Sequence, residues 1–223
     1  MCDKERPGCP TVFLDRDGTI NEEVNYLHRR EDLRLLPGAA QAIRLWNENG
    51  FRVVVVTNQA GVARGYYTEA DVENLHRYMN QVLAEDGAHI DAFYYCPHHP
   101  EHGIGPYKIR CHCRKPETGM FEAADRDCPV DRAHSYMIGD KWLDTQAGAG
   151  FGLHTVLVGT GYGAELYREM QEEGKGPSGE HPMDYYAKDL LAAACWILER
   201  NHHAPAADVA AGLKEGGRNE NEG

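Results

Sequence analysis

Five residues in the chain carry the groups that transfer of a phosphoryl group needs. Asp15 and Asp17 are separated by one residue, and Thr57, Lys115 and Asp140 follow in that order. Phosphoryl transfer to an enzyme carboxylate requires a nucleophile, an acid for the leaving oxygen, and positive charge or hydrogen-bond donors around the phosphoryl oxygens. Two aspartates this close together are also common in tight turns. The chemical interpretation therefore depends on whether the fold brings the other three residues to them.

Each of the five residues has a predicted role. Asp15 is the candidate nucleophile, and Asp17 is the candidate acid for the leaving oxygen and later the base for water. Thr57 is expected to hydrogen-bond a phosphoryl oxygen, and Lys115 is expected to neutralise its charge. Mg²⁺ takes oxygen ligands. We expect these ligands from the carboxylates of Asp15 and Asp140 and from the main-chain carbonyl of Asp17.

A second group of residues has the ligand chemistry of zinc. Cys96 and His98 are separated by one residue, and so are Cys111 and Cys113. Three thiolates and one imidazole make a closed tetrahedral set, which is typical of structural zinc. We therefore predict a structural Zn²⁺ site in a loop over 96–113, with idle loop thiols as the alternative. Three other histidines are rival nitrogen ligands: His99, His102 and His112.

Alternating strands and helices must position these groups. Apolar runs predict strands at Thr11–Leu14, Val53–Val56, Ala92–Tyr95, Tyr136–Ile138 and Thr155–Val158. Helical periods are found at Ala39–Asn49, after Thr68, and at Met120–Ala124, Leu143–Ala149 and Leu190–Leu198. This alternation predicts an α/β fold with a Rossmann-like, doubly wound parallel sheet. Because the carboxyl ends of parallel strands share one edge, we expect Asp15, Thr57 and Asp140 to lie together there.

The composition narrows the possible partners. The net charge of −12 argues against a nucleic-acid partner. No stretch approaches the roughly 20 apolar residues of a membrane span. The polar segment Met1–Pro10 lacks an apolar signal region, so we expect a cytoplasmic protein. The seven cysteines are odd in number, and without a secretion signal they predict ordinary thiols, Cys128 included, outside the zinc loop.

The chain is expected to form one domain over residues 1–200. The last residues, 201–223, hold few large apolar side chains, which predicts a disordered tail. Within the domain, the charged and glycine-rich stretch Glu165–Glu180 is interpreted as a surface excursion. A domain of this size could work alone, so we expect a monomer.

Four short motifs carry a resemblance to a known family. DRDGT at 15–19, TNQAG at 57–61, RKP at 114–116 and GDKxxD at 139–144 resemble, in order and spacing, the motifs of the haloacid dehalogenase-like superfamily. The resemblance covers Phe13–Gly161. It implies a phosphatase that acts through an aspartyl-phosphate intermediate and requires Mg²⁺. It also implies the same roles for the five residues as their chemistry does.

The cysteine loop narrows the resemblance to one branch. CPHHP followed by CxCRKP is similar to the zinc-containing members, which lack a large cap domain and act on a heptose bisphosphate or on histidinol phosphate. The run TNQAGVARG at 57–65 is more similar to the heptose enzymes. The implied substrate is therefore a small phosphorylated sugar on the way to nucleotide-activated heptose.

This branch also implies a set of substrate contacts. Arg114 is favoured over Arg64 as the ligand of a second phosphate, because an arginine fork can bind an anion through two hydrogen bonds. Ala60 has no polar side chain, so it could bind only through its backbone. The full set is Arg16, Glu23, Val24, Asn25, Tyr26, Asn58, Gln59, Ala60, Arg114 and Lys141.

Three functions remain open on the sequence. The first is a heptose bisphosphate phosphatase, and the second is a histidinol-phosphate phosphatase with the same chemistry. The third is a zinc-stabilised binding module without catalysis, which needs only the Cys/His cluster. The binding module does not explain why all five candidate catalytic residues are present, so it ranks below the other two.

Overall fold

The computed structural model describes residues 8–177 and 179–202 of the chain. Its strands are β1 (Thr11–Leu14), β2 (Arg52–Asn58), β3 (Ala92–Cys96), β4 (Tyr136–Gly139), β5 (His154–Val158) and β6 (Tyr185–Ala187). They form one sheet in the order β3-β2-β1-β4-β5-β6, and every neighbouring pair is parallel. The predicted doubly wound parallel sheet is confirmed.

Helices cover both faces of this sheet. They are α1 (Ala39–Glu48), α2 (Ala60–Ala63), α3 (Glu69–Glu85), α4 (Gly119–Asp127), α5 (Trp142–Phe151), α6 (Gly163–Glu172) and α7 (Leu190–His202). Residues of α1, α3 and α7 pack in one core cluster, and residues of α4 and α5 pack in a second. Thr68 caps α3 in a capping box with Asp71.

The alternation of side chains along the central strand explains the two cores. Val12 and Leu14 point into the first cluster, whereas Phe13 points into the second and packs on Phe121, with ring centroids 5.0 Å apart. Successive side chains of a strand lie on opposite faces, so an unbroken apolar run indicates a strand buried on both sides. The run from Val53 to Val56 behaves in the same way.

The structure adds two elements to the predicted fold and corrects the interpretation of one cysteine. The predicted surface excursion is mostly exposed, and it contains most of α6, a charged helix that buries only Gly163 and Met170. The strand β6 was not predicted because it has only three residues. Cys128 is disulfide-bonded rather than an ordinary thiol, since a count of cysteines carries no information on their proximity.

The last described residues of the chain belong to α7. The predicted tail over 201–223 lies outside the described residues, except for its first two positions, which complete α7. Within the described ranges, no helix has both the length and the apolar character needed to cross a membrane.

Candidate active site

The strand order places a crevice at the carboxyl ends of β1 and β4. From β1 the chain builds outward through β2 and β3, and then returns to the other side of β1 as β4. Ligands of open α/β sheets bind at such a switch point. Asp15 follows β1 and Asp140 follows β4, and the Asp15 amide donates to the Ile138 carbonyl at 2.9 Å. The two candidate residues therefore face each other across the crevice.

A pocket of about 340 Å³ opens above this crevice. It contains most of the predicted site residues, which confirms that the strand ends bring them together. The pocket is lined by Asp15, Asp17, Glu23, Asn25, Tyr26, Thr57, Asn58, Gln59, Ala60, Tyr67, Arg114, Lys115, Lys141, Leu143 and Tyr162.

Two predicted substrate contacts do not line the pocket. Arg16 is completely buried because its guanidinium turns inward behind Asp17. Val24 packs against the first core cluster. Neighbouring residues in a turn point in different directions, so the sequence could not separate Arg16 from the aspartates on either side of it. These two positions correct the predicted set.

Three pocket residues were not predicted from the sequence. Leu143 lies inside the GDKxxD motif, which provided a signal for it. Tyr162 follows β5 at the same sheet edge. The prediction of site residues at the strand ends used only aspartate, threonine and asparagine side chains, so it did not include this tyrosine. Tyr67 precedes the cap of α3, and nothing in its sequence context marks it.

Lys115 is a buried cation held by the site itself. Its Nζ lies 2.9 Å from Asp15 Oδ1 and 2.7 Å from Asp144 Oδ1, and it donates to the Val56 carbonyl. Burial alone would lower the pKa of Lys115, but the charges of Asp144 and Asp15 raise it above its ordinary value. The ammonium group therefore stays charged next to the candidate nucleophile.

Asn58 fixes the backbone that carries Lys115. Its side-chain amide donates to the Lys115 carbonyl at 3.1 Å, and its Oδ1 accepts from the Lys115 amide at 3.0 Å. Asn58 ends β2, so the lysine is tied to the sheet edge. A predicted substrate contact thus also positions a catalytic candidate.

Three buried carboxylates form a cluster that fits a divalent cation. Oxygens of Asp15, Asp140 and Asp144 lie within 4.8 Å of one another. Asp140 Oδ1 is buried and has no hydrogen-bond donor, and its nearest cation, Lys141 Nζ, is 3.7 Å away. Burial, with the added charge of Asp15, raises the pKa of Asp140 to about 7. A hard cation would satisfy this unpaired oxygen and relieve the repulsion.

Gly18 leaves room for this cluster. Its φ of +82° favours glycine, and a Cβ at this position would collide with the Asp140 carboxylate. The same motif that carries the two aspartates thus also allows β1 and β4 to approach. Asp17 is not a side-chain member of the cluster. A contribution from its main-chain carbonyl stays a prediction.

The carboxylate of Asp17 is surrounded by donors. Arg16 donates from Nε to Oδ1 at 3.1 Å and from Nη2 to Oδ2 at 2.9 Å, while Asn21 and Gln59 each donate one hydrogen bond. Burial would raise the pKa of Asp17, but the charge of Arg16 and these hydrogen bonds lower it below its ordinary value. These contacts therefore stabilise the carboxylate form of Asp17, the form in which it is left once it has given up a proton.

Gln59 links Asp17 to the next strand end. Its Nε2 also contacts Thr57 Oγ1 at 2.9 Å, and its Oε1 accepts from Tyr67 at 2.8 Å. Thr57 itself is the penultimate residue of β2, not a residue after it. The candidate residues Asp17 and Thr57 are thus linked through the buried side-chain amide of Gln59.

Charged side chains surround the mouth of the pocket. Lys141 Nζ pairs with Glu23 at 3.1 Å. Arg114 donates to the His98 carbonyl at 3.1 Å and, in the described part of the chain, forms no ion pair with a carboxylate. A guanidinium without a carboxylate partner in a pocket is suited to an anionic ligand group.

The Cys/His group converges as the sequence predicts. Candidate ligand atoms of Cys96, His98, Cys111 and Cys113 lie within 4.8 Å of one another. His98 presents Nδ1, at 3.8 Å from the Cys96 sulfur and 3.7 Å from the Cys113 sulfur. The donor set of three thiols and one imidazole is the one that tetrahedral zinc takes. The residues present therefore fit Zn²⁺.

The rival histidines make other contacts. His99 Nδ1 accepts from the backbone amides of Glu101 and His102. His112 lies between Cys111 and Cys113 but turns outward to Glu122, at 3.0 Å. The geometry selects His98 among the nitrogen ligands that the sequence left open.

Two family models match the chain. A polynucleotide kinase 3 phosphatase model matches residues 12–148, and a HAD-hydrolase-like model matches residues 112–193. The first range runs from within β1 to within α5, and the second adds β5, α6 and β6. Together they cover the whole of the site described above.

Curated relatives and solved structures agree with these models. The D-glycero-beta-D-manno-heptose-1,7-bisphosphate 7-phosphatase of Haemophilus ducreyi is 46% identical over 69% of this chain and 85% of its own. The D-glycero-D-manno-heptose-1,7-bisphosphate 7-phosphatase of Thermosynechococcus vestitus is 42% identical over 88% of this chain and 98% of its own. A crystal structure of D,D-heptose 1,7-bisphosphate phosphatase from B. bronchiseptica, complexed with magnesium and phosphate, has a TM-score of 0.73 at 33% identity, covering 86% of this chain and 99% of that one.

Proposed function

The chain belongs to the haloacid dehalogenase-like hydrolase family, and from this membership we propose that it removes the 7-phosphate of D-glycero-D-manno-heptose 1,7-bisphosphate. The observation that carries the proposal is the contact of Lys115 with Asp15 in the pocket. The proteins most similar to this chain among those reported above are named for that activity. The product would serve the supply of nucleotide-activated heptose.

The first half of the reaction transfers the phosphoryl group to Asp15. A carboxylate oxygen of Asp15 attacks phosphorus, and the bond from phosphorus to the sugar oxygen breaks. The electron pair stays on that oxygen, which takes the proton of Asp17. Lys115 and Thr57, which lie at the same strand ends, stabilise the charge on the phosphoryl oxygens.

The second half of the reaction regenerates the carboxylates. Asp17, now ionised, takes a proton from water, and the resulting nucleophile attacks the phosphorus of the acyl phosphate. The bond from phosphorus to the Asp15 oxygen breaks, which releases inorganic phosphate and restores both residues to their starting states. No atom or proton is left over after the cycle.

Asp15, Asp140 and the main-chain carbonyl of Asp17 would hold Mg²⁺, and the unpaired oxygen of Asp140 supports this assignment. When bound, Mg²⁺ neutralises the charge of the phosphoryl oxygens. The ion pair between Lys115 and Asp144 would lie beside the bound ion. Removal of the divalent ion is therefore expected to stop turnover.

The choice of substrate rests on the relatives and on Arg114. The relatives reported above are named for the heptose bisphosphate, which favours it over histidinol phosphate as the substrate. A catalytic family with its pocket residues in place also argues against the binding-module alternative. The pocket is formed within one chain, and we propose that the enzyme works as a monomer.

A phosphate-release assay tests this proposal. Purified protein is given the heptose 1,7-bisphosphate or histidinol phosphate, with Mg²⁺ and after treatment with a chelator. We expect Mg²⁺-dependent release with a higher kcat/KM for the heptose bisphosphate. Faster turnover of histidinol phosphate, or no release from either compound, would overturn the proposal.

Arg114 is proposed to bind the phosphate that is not cleaved. Arg114→Ala should lower kcat/KM for the bisphosphate more than for the matching 7-monophosphate, because only the former has a second anion. A charge-assisted hydrogen bond contributes about 1.5–3 kcal/mol, or about one to two orders of magnitude in kcat/KM. Arg114→Lys is the matched control and should recover the loss only in part, since lysine has no planar fork. An unchanged ratio of the two kcat/KM values in Arg114→Ala would remove this role.

Zn²⁺ is proposed to be structural in the loop over 96–113. A closed set of ligands leaves no position for a reactive water, so the ion contributes to the order of the loop and not to hydrolysis. The loop leads directly into Arg114 and Lys115. Disorder in it would therefore disturb both substrate binding and the charge beside Asp15.

Cys111→Ser tests the zinc site. The zinc content should fall from about one ion per chain in the wild type to almost none in the variant. The variant should keep its fold, but its KM should rise and its kcat should fall. Elemental analysis and circular dichroism measure these changes. Cys195→Ser, which removes an exposed thiol outside the cluster, is the matched control and should keep its zinc. Full activity of a zinc-free wild-type preparation, assayed with Mg²⁺, would contradict the structural role.

A further inference from the structure

A buried arginine lies behind the candidate acid without reaching the pocket. Arg16 is inaccessible to solvent, and its guanidinium donates through two nitrogens to the two oxygens of Asp17. Its Nη2 also contacts the Leu27 carbonyl at 3.3 Å and Gln59 Oε1 at 3.2 Å. Among the ion pairs of the described residues, Asp17 is its carboxylate partner. The plane of this guanidinium therefore sets two of the four side-chain hydrogen bonds that hold Asp17.

The remaining nitrogen of Arg16 meets a histidine from another element. Arg16 Nη1 lies 3.3 Å from His76 Nε2. His76 is on the buried face of α3, only 4% exposed, and its ring stacks on Phe93 with centroids 4.4 Å apart. Burial, reinforced by the charge of Arg16, lowers the pKa of His76 to about 3, so the ring is neutral and Nε2 accepts the hydrogen bond.

We propose that Arg16 and His76 are positioning residues for the acid–base function of Asp17, with His76 holding the Arg16 guanidinium in the plane that presents two donors to the Asp17 carboxylate. This inference rests on the proposed role of Asp17 as acid and base. Neither Arg16 nor His76 lines the pocket, so both act through Asp17 and not on substrate.

Arg16 and His76 should affect one step of the reaction, the donation of a proton by Asp17. When Asp17 gives its proton to the sugar oxygen, it becomes a carboxylate, and the fixed Arg16 cation stabilises that product state. Without an acceptor at position 76, Arg16 Nη1 would be buried and unsatisfied, and the guanidinium would turn to find another partner. The donation step should suffer, whereas substrate binding should not.

A matched pair of variants separates the hydrogen bond from packing. His76→Gln keeps an acceptor at about the position of Nε2, and His76→Met has a similar length but only a weak acceptor. We expect His76→Met to lower kcat for the heptose bisphosphate roughly tenfold with little change in KM, as loss of one buried hydrogen bond would. Turnover of an aryl phosphate, whose leaving group needs less protonation, should change less. His76→Gln should restore most of the loss.

The ratio of kcat for the two substrates is the decisive readout. Partial unfolding lowers both rates by one factor and leaves the ratio unchanged. Arg16→Lys, which keeps the charge but loses the planar fork, provides a second variant and should show the same selective loss. If His76→Met and Arg16→Lys keep the wild-type ratio, or if His76→Gln is as impaired as His76→Met, the positioning role is wrong.

Asp17→Asn, measured with the same two substrates, distinguishes the failure of this inference from that of the proposed function. A selective loss in Asp17→Asn without one in the His76 and Arg16 variants would reject only the positioning role. An equal loss on both substrates in Asp17→Asn would reject the acid assignment on which the positioning role depends.

Discussion

Asp15→Asn is expected to abolish turnover of every phosphate ester while the protein stays folded. An uncharged amide has nearly the same shape as the carboxylate, but it is not a nucleophile of comparable strength. Removal of the nucleophile in a covalent enzyme lowers kcat on the order of 10⁶-fold. Lys115 would keep its ion pair with Asp144, so the site should retain its shape. Phosphate release and circular dichroism measure the two expectations.

Asp86→Asn is the control for this substitution. Asp86 is an exposed aspartate outside the pocket, so its loss should leave the rate unchanged. Rapid quenching should also trap a phosphorylated wild-type chain that is missing from Asp15→Asn. Release by Asp15→Asn near the wild-type rate would contradict the covalent mechanism.

Asp17→Asn is expected to damage turnover according to the leaving group. General acid catalysis is typically worth about 10²–10⁴-fold. Sugar alkoxides need that proton, so the heptose bisphosphate should lose this factor, whereas an aryl phosphate should lose less. The comparison of kcat for the two substrates is the measurement.

The same substitution should also lower stability. The buried Arg16 would lose its carboxylate partner, and breaking a buried ion pair costs about 3–5 kcal/mol. Thermal unfolding reports this cost separately from chemistry. The ratio of the two rates does not depend on the folded fraction, so an equal loss on both substrates would exclude the acid role.

The sequence was most informative at the carboxyl ends of the strands. Asp15, Thr57 and Asp140 could be placed together because parallel strands end at one edge, and the structure has them there. The candidate zinc ligands could be grouped from their spacing and ligand chemistry alone. The choice of His98 required geometry, because sequence spacing does not say which way a ring turns.

Other features depend on contacts that a linear sequence does not record. Arg16 was predicted to contact substrate as part of the set that the resemblance implies, yet its side chain turns toward the interior. Its partner His76 lies on the buried face of α3. The apolar periodicity of α3 predicts that its apolar residues are buried, but it gives no sign that a histidine is buried among them. The helix α6 has few apolar residues among many charged ones, and the stretch was interpreted from its charge and glycine content. Each of these differences is set by packing between distant segments.

Phosphorus NMR of one reaction tests the central claim most directly. The wild-type protein is incubated with Mg²⁺ and D-glycero-D-manno-heptose 1,7-bisphosphate, and the two phosphate resonances are followed over time. We predict that the 7-phosphate signal falls as inorganic phosphate appears, while the 1-phosphate signal persists. Loss of the 1-phosphate, or two signals that do not change, would contradict the assignment of this chain as a 7-phosphatase.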